Sequence, residues 1–472
     1  MNAFFQHLRF SIALISLSVF SALAQVVVDI RDYGCDAYPT YDTYAQDGRY
    51  IYLNEYSGDG FPLEMTIGEA TLDYFEQIQN RLAEHNIQLV VLRQPHRLLT
   101  MSYLVDLKPE EQSFIQSYKD GYETFLARLE ARGIVAPNLL AEYETFLQTD
   151  EYKDVKESNI FQYEFFHWPY DAHWTPLGAY LSGQATAKAL GVTPQEKYVT
   201  SVTGFEDFRP YDLRQVQRKC DVRIPPIIIP TYETKQASSP TGEDMAQALF
   251  ADEEVNYVVI GSSFTDPEVK EWNFEGFMTE ALGESPLFYA RSAGGTIAPF
   301  IAFAQSDDYQ RMRDRDEPAY VIWDIFNVAV FTPDKDHGGE KMDLGYRQIL
   351  GALNDRCSSE GNVLFEGKGA LTQNPEAVSL PAPLAIHNQD YMWLRFAEST
   401  LASFDLELSF EGETKLYSFK RRDQWNYDGN FFLELPELGS LNSFRVLLSS
   451  LKEAEADSKA GTSFDVKICR SK

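Results

Sequence analysis

An α/β parallel-sheet domain followed by a small β-sandwich is the fold class this sequence predicts, and three observations predict it. Apolar runs at Gln88–Leu92, Val255–Ile260 and Ala319–Phe326 alternate with stretches of helical periodicity, the pattern of strands covered by helices. Beyond residue 385 the pattern changes to short runs of period two with turn signals between them, which suits a sandwich. The chain has 472 residues, more than one core usually spans, so two domains are expected.

The N-terminus reads as an export signal. His7 and Arg9 make a weakly basic start, Phe10 to Phe20 is apolar but too short to span a bilayer, and Ala22-Leu23-Ala24 fits a small-x-small cleavage site. Residues 1–24 are therefore expected to be removed, leaving Gln25 first. Tyr50–Leu53 reads as a short strand. Leu72, Phe75, Ile78 and Leu82 recur every three or four residues and predict a helix over 68–85. The strand at 88–92 follows and ends before Arg93-Gln94-Pro95. Phe114, Tyr118, Tyr122, Phe125 and Leu129 line one face of a helix over about 109–132, which Gly133 stops. Thr175 and Pro176 are an N-cap and a first helical position, so a helix runs from there to Leu190, and Gly191 ends it. A helix over Gly345–Leu353 leads to Cys357. Residues 370–385 read as a linker or long loop. Met392–Phe396, Phe404–Leu408, Phe431–Leu435 and Phe444–Leu448 read as strands. The expected division is 1–24 signal, 25–345 first domain and 346–472 second domain.

Charge narrows the function. Lys and Arg number 41 against 71 Asp and Glu, a net charge of −30, so nucleic acid is not an expected partner: phosphate binding needs a basic footprint. Any polyanionic ligand would need local basic patches. Four cysteines, Cys35, Cys220, Cys357 and Cys469, in an exported chain imply disulfides and an oxidising compartment, best matched by a periplasm. Three pairings are possible; the one that follows the domains joins Cys35 to Cys220 and Cys357 to Cys469. Their spacings do not resemble a zinc site, and no metal or cofactor is expected.

Two stretches carry chemistry. In Tyr170-Asp171-Ala172-His173-Trp174-Thr175-Pro176 an Asp precedes a His by two residues, just before a helix start and among Phe165, Phe166, Trp168 and Trp174. In Val258-Val259-Ile260-Gly261-Ser262-Ser263-Phe264 a strand breaks at Gly and presents two serines at its carboxyl end, where ligands of such sheets sit. A carboxylate that orients an imidazole, which in turn deprotonates a hydroxyl, makes an acyl-transfer nucleophile. Taken separately, each stretch also fits an ordinary loop or capped turn, and the residues alone leave Ser262 and Ser263 both open.

Asp171-Ala172-His173-Trp174-Thr175-Pro176 with Gly178 resembles the Asp-x-His-Trp-Thr-Pro-x-Gly block of the alginate O-acetyltransferase family (AlgX/AlgJ-like), and Gly261-Ser262-Ser263-Phe264 resembles that family's Gly-Thr-Ser-Tyr block. The resemblance implies an SGNH-hydrolase-like first domain and a C-terminal carbohydrate-binding module, the layout of the AlgX branch. It assigns Ser263 as nucleophile, His173 as base and Asp171 as orienter. Phe264 stands where the family has Tyr, which loses a hydroxyl. Arg291 falls where the family places a basic residue near the active site, and Asn273 is a further candidate for oxyanion or substrate contact. The implied reaction is acetyl transfer to an exopolysaccharide, with alginate as acceptor, in a periplasmic export complex that includes a membrane-bound acetyl donor. Arg421, Arg422 and Trp425, with Trp393 and Arg395 from a neighbouring strand, would then bind the polyuronate through cations and aromatic faces. His96 and Arg97 are candidates to extend that track. An acetyl esterase and a non-catalytic export scaffold are the alternatives.

Overall fold

The computed structural model describes residues 41–42, 52–53, 67–101, 109–153, 165–168, 171, 173–193, 197–209, 214, 217–218, 226–237, 255–292, 294–325, 339–354, 357, 362–371, 377–398, 401, 403–421, 429–448 and 461–470. The first half begins with a two-stranded ribbon, β1 (Tyr41–Asp42) and β2 (Tyr52–Leu53). It continues through α1 (Glu69–Ala83), β3 (Ile87–Arg93), α2 (Arg97–Met101), α3 (Pro109–Glu130), α4 (Leu139–Phe146), α5 (Pro176–Ala189) and a hairpin of β4 (Tyr198–Phe208) with β5 (Ile227–Gln236). β6 (Tyr257–Gly261), α6 (Phe274–Leu282), β7 (Leu287–Ala290), α7 (Ile297–Ala304), α8 (Asp307–Arg313), β8 (Ala319–Ile325) and α9 (Gly339–Leu353) follow.

Four of these strands form a parallel sheet in the order β3-β8-β6-β7. Side chains alternate across it, and both faces are covered, which is why the strands read as continuous apolar runs. Leu89, Val91, Val258, Ile260, Val321 and Trp323 pack with α1, α3, α7 and α9. Val90, Leu92, Val259 and Ile322 pack with α4, α5 and α6. The periodic residues of α1 behave as their spacing dictates: Leu72, Phe75, Ile78 and Leu82 are all buried. Trp323 anchors the first face, stacked on Phe300 at 4.8 Å and on Phe75 at 4.9 Å, with its Nε1–H donated to the Thr296 carbonyl.

The C-terminal part is a sandwich of two antiparallel four-stranded sheets. One has the order β10 (Val378–Ala385), β15 (Ser440–Leu447), β12 (Ser403–Phe410), β13 (Thr414–Lys420); the other β14 (Asn430–Glu434), β11 (Tyr391–Phe396), β16 (Ser463–Cys469), β9 (Val363–Ala370). Leu394, Phe404, Leu406, Phe431, Phe444 and Val466 fill the space between them. Residues 370–385 are not simply a linker: β10 occupies 378–385 as an edge strand. Pro381 and Pro383 lie where its register with β15 shifts, between Ser379 and Leu384, and a bulged edge tolerates residues without an N–H.

α9 crosses the expected boundary at 345 and lies directly on β14. A Cβ at Gly351 would come within 2.9 Å of the backbone nitrogens of Leu433 and Glu434. The Arg81 guanidinium of α1 pairs with the buried Glu434 carboxylate and donates to the Leu350 carbonyl at 2.8 Å. Cys357 and Cys469 form a disulfide with Cα atoms 6.0 Å apart. Cys35 and Cys220 lie outside the described residues.

Candidate active site

β3, β8 and β6 all end on one edge of the parallel sheet, and the turn after β6 carries the serines. Gly261 is dictated by contact. A Cβ there would sit 2.1 Å from Thr265 Oγ1 and 2.9 Å from Asp324 Cβ, so only glycine lets the strand pass beside β8. The chain then turns tightly, with Thr265 N–H donated to the Ser262 carbonyl at 3.2 Å. The two serines face different groups. Ser263 Oγ lies 2.7 Å from His173 Nε2, whereas buried Ser262 donates its hydroxyl to Asp324 at 3.5 Å.

His173 is held by a narrow antiparallel loop: Trp168 N–H donates to its carbonyl at 3.0 Å, and Thr175 N–H donates to Phe166 at 2.9 Å. Thr175 then caps α5, accepting from Gly178 N–H, and Pro176 sits in the first turn. Gly178 is a second forced glycine, since a Cβ would lie 2.2 Å from the Phe166 carbonyl oxygen. Asp171 is buried, and its Oδ1 accepts from His173 N–H at 3.1 Å and Nδ1 at 2.5 Å. A carboxylate only accepts, so the imidazole proton sits on Nδ1 and Nε2 is left to accept from Ser263. The ring stacks on Trp272 at 4.6 Å and 14° and tilts against Phe264 at 4.4 Å. Trp272 is itself fixed by donation from Nε1 to the Phe264 carbonyl at 2.7 Å. The aromatic collar therefore includes Phe264 and Trp272, and the apolar face of Phe264 takes part without a hydroxyl. Trp174 stands one layer behind, stacked on Phe274.

Two groups around this array take places that the sequence reading did not assign to them. Arg97 is buried, so it does not extend a surface track; its Nη1 donates to the Asp171 carbonyl at 2.6 Å and steadies the loop. His96 is buried too, and its imidazole is pushed down to about 3 by burial and by Arg97 and Arg93. The other group is Asp324, fully buried near the end of β8, which accepts from Gln94 Nε2 at 2.8 Å and from Thr265 Oγ1 at 3.4 Å. Burial pushes its carboxyl up to about 7, against the pull of Gln94, Ser262 and Thr265. A lone Asp inside Val321-Ile322-Trp323-Asp324-Ile325 was the signal, because a buried charge in an apolar strand demands a purpose.

The remaining candidates lie apart from this array or have partners within the protein. Arg291, at the end of β7, pairs with Glu268, and Ser292 N–H donates to Asp266 at 2.6 Å, which ties the loops after β6 and β7 together. Asn273 caps α6 in the left-handed region with φ of 48°, its amide beside Gly276. Its buried Nδ2 has no partner among the described residues. Arg421 faces inward: it covers the Phe431 ring and donates to Asn430 and, at 3.3 Å, to Gln305 at the end of α7. Trp393 is half-buried on the core shared with α9, donating to Asn430 at 3.0 Å. Arg395 is exposed on β11, while Arg422 and Trp425 lie outside the described residues. No group of three His, Cys, Asp or Glu side chains that could hold a metal occurs among the described residues.

Comparison with known proteins places the chain by family and fold. The probable alginate O-acetylase AlgJ of Azotobacter vinelandii is 28% identical over 272 residues, which cover 52% of this chain and 59% of that protein's length. The alginate biosynthesis protein AlgX of Pseudomonas fluorescens is 25% identical over 414 residues, 84% of this chain and 77% of that one. The solved structure of Pseudomonas aeruginosa AlgX superposes with a TM-score of 0.69 over 92% of this chain and 95% of that one, at 18% identity, and so shares the fold. The family model described as SGNH hydrolase-like domain, acetyltransferase AlgX matches residues 64–327, which is more than half of the chain, and the chain belongs to that family.

Proposed function

We propose that this chain is a periplasmic O-acetyltransferase that passes an acetyl group through Ser263 to hydroxyls of an exopolysaccharide, with mannuronate residues of alginate as acceptor. The observation that carries the proposal is the 2.7 Å contact between Ser263 Oγ and His173 Nε2 in a chain of the acetyltransferase family. His173, oriented by Asp171, takes the proton of Ser263 as Oγ attacks the acetyl carbon. The bond to the donor's leaving group breaks, and His173 returns the proton to that group. An acetyl-serine results. A sugar hydroxyl then gives its proton to His173 Nε2 and attacks the acetyl carbon, and Ser263 leaves with the proton. Backbone N–H groups of the turn after Gly261 hold the oxyanion in both halves; loss of one such donor typically costs about 10²–10³ in rate. The collar of Phe264 and Trp272 disfavours water at the imidazole.

Residues 25–345 are proposed as the acetyltransferase domain and 346–472 as a carbohydrate-binding module. Polymer contact falls to exposed Arg395 with Arg422 and Trp425, since Arg421 and Trp393 are engaged within the protein. A membrane-bound acetyl donor and export-complex proteins are the proposed partners. No helix among the described residues is long and apolar enough to cross a membrane. Mass spectrometry of the polymer made by cells carrying Ser263→Ala tests the proposal. Near-complete loss of acetyl esters is expected, and unchanged acetylation would leave only a scaffold.

A further inference from the structure

We infer that Asp324 is a positioning residue for the nucleophile: as an acceptor beneath the serine turn, it holds Ser263 at the imidazole. The inference rests on the acyl-transfer reading above. Its basis is a convergence of donors from separate elements on one fully buried carboxyl group. From the turn come Ser262 Oγ at 3.5 Å, Thr265 Oγ1 at 3.4 Å and the Ser262 backbone N–H; from the end of β3 comes Gln94 Nε2 at 2.8 Å. Gly261 is squeezed against the same side chain, so the turn is clamped between Asp324 and its own Thr265. Asp324 acts in turn on the charged Arg93 of the neighbouring strand β3.

These contacts bracket Ser263 in sequence, on Ser262 and Thr265, while Ser263 itself is left to His173. Without the acceptor, four buried donors would lose their partner, and the turn would relax away from the imidazole. The requirement is for an acceptor more than for a charge. Gln94 Oε1 is buried without a partner among the described residues, so a flipped Gln94 amide would accept from an amide at 324 whose oxygen still faces the turn.

The test is the rate at which phenylmethylsulfonyl fluoride labels Ser263, read by peptide mass. In this reaction Oγ bonds to sulfur, fluoride leaves and His173 takes the proton, so the rate reports the Ser263–His173 geometry without any sugar. Asp324→Leu is expected to label at least ~30-fold more slowly, and Asp324→Asn to recover at least ~10-fold of that loss, an effect of the size expected for a displaced nucleophile. Thr265→Val should slow labelling several-fold and Thr265→Ser restore it, which decides the matter if Asp324→Leu does not fold. Folded Asp324→Leu or Thr265→Val that labels as fast as wild type overturns the inference alone. Wild-type protein that takes no label at Ser263 overturns the acyl-transfer reading and the inference with it.

Discussion

A buried carboxyl with four donors and a raised pKa has a consequence for stability as well as for geometry. The Asp324 carboxyl rises from 3.8 to about 7 on folding, chiefly through burial. Between those values the folded chain holds a proton that the unfolded chain has released, so stability falls as pH rises through that window and levels off above it. The contribution is on the order of 2–4 kcal/mol, a few pK units at about 1.4 kcal/mol each. Asp324→Asn should lack it: urea unfolding at pH 5 and pH 8 is expected to show the variant gaining on wild type as pH rises. An equal pH dependence in both proteins would contradict this assignment. Part of the candidate site was legible at this scale. Asp171, His173 and a strand-end serine stood out in the sequence, and the family resemblance, not the residues alone, chose Ser263 over Ser262. Asp324, Arg97 and Trp272 did not stand out, since their roles arise from contacts between segments distant in sequence. Arg421 shows the converse. A cation beside aromatics in sequence suits a sugar, and in the structure it lies over Phe431 and reaches Gln305 just after α7.

The element that matters most is α5 with the loop before it. Thr175 caps the helix, and Gly178 lets the Phe166 carbonyl approach its first turn. Thr175→Ala should cost about 1 kcal/mol, the usual worth of a cap. Gly178→Ala should cost more, about 2 kcal/mol or above, because its methyl meets backbone that cannot rotate away. Both would slow acyl transfer through the displaced His173. Denaturant midpoints and labelling rates of Ser263 check the order, and a Gly178→Ala variant as stable as wild type would refute the steric argument. Helix boundaries were readable here because caps are local chemistry. Strands β9, β10 and β13 were not foreseen, because glycine, proline and exposed lysine in edge strands erase the period-two signal that pairing across the sheet then supplies; the inner strand β16, where Phe464, Val466 and Ile468 alternate inward, was simply missed.

At the scale of the molecule, the parallel-sheet domain and the sandwich share apolar contacts. Tyr391 and Phe432 join the core of α1, α3 and α9, and Arg81 meets Glu434 where both are buried. Burial raises the Glu434 carboxyl, with Arg81 opposing the rise. Arg81→Met should destabilise the protein by about 3–5 kcal/mol by leaving a buried carboxylate without its partner, and Arg81→Met with Glu434→Leu should recover most of that. Calorimetry of the three proteins checks it, and equal stability of the single and double variants would show that the pair does not couple the halves. The parallel sheet and the sandwich were both predictable from periodicity. Their shared core was not, because the residues that build it read as ordinary members of α1, α9 and β14.

Acetyl transfer through Ser263 is the claim on which the rest depends. Its most direct measurement is mass spectrometry of mannuronate oligomers incubated with the protein and an activated acetyl ester. Acetylated oligomer with wild type and none with Ser263→Ala is the expected result. Ester hydrolysis with no acetylated sugar, or equal acetylation by Ser263→Ala, would contradict it.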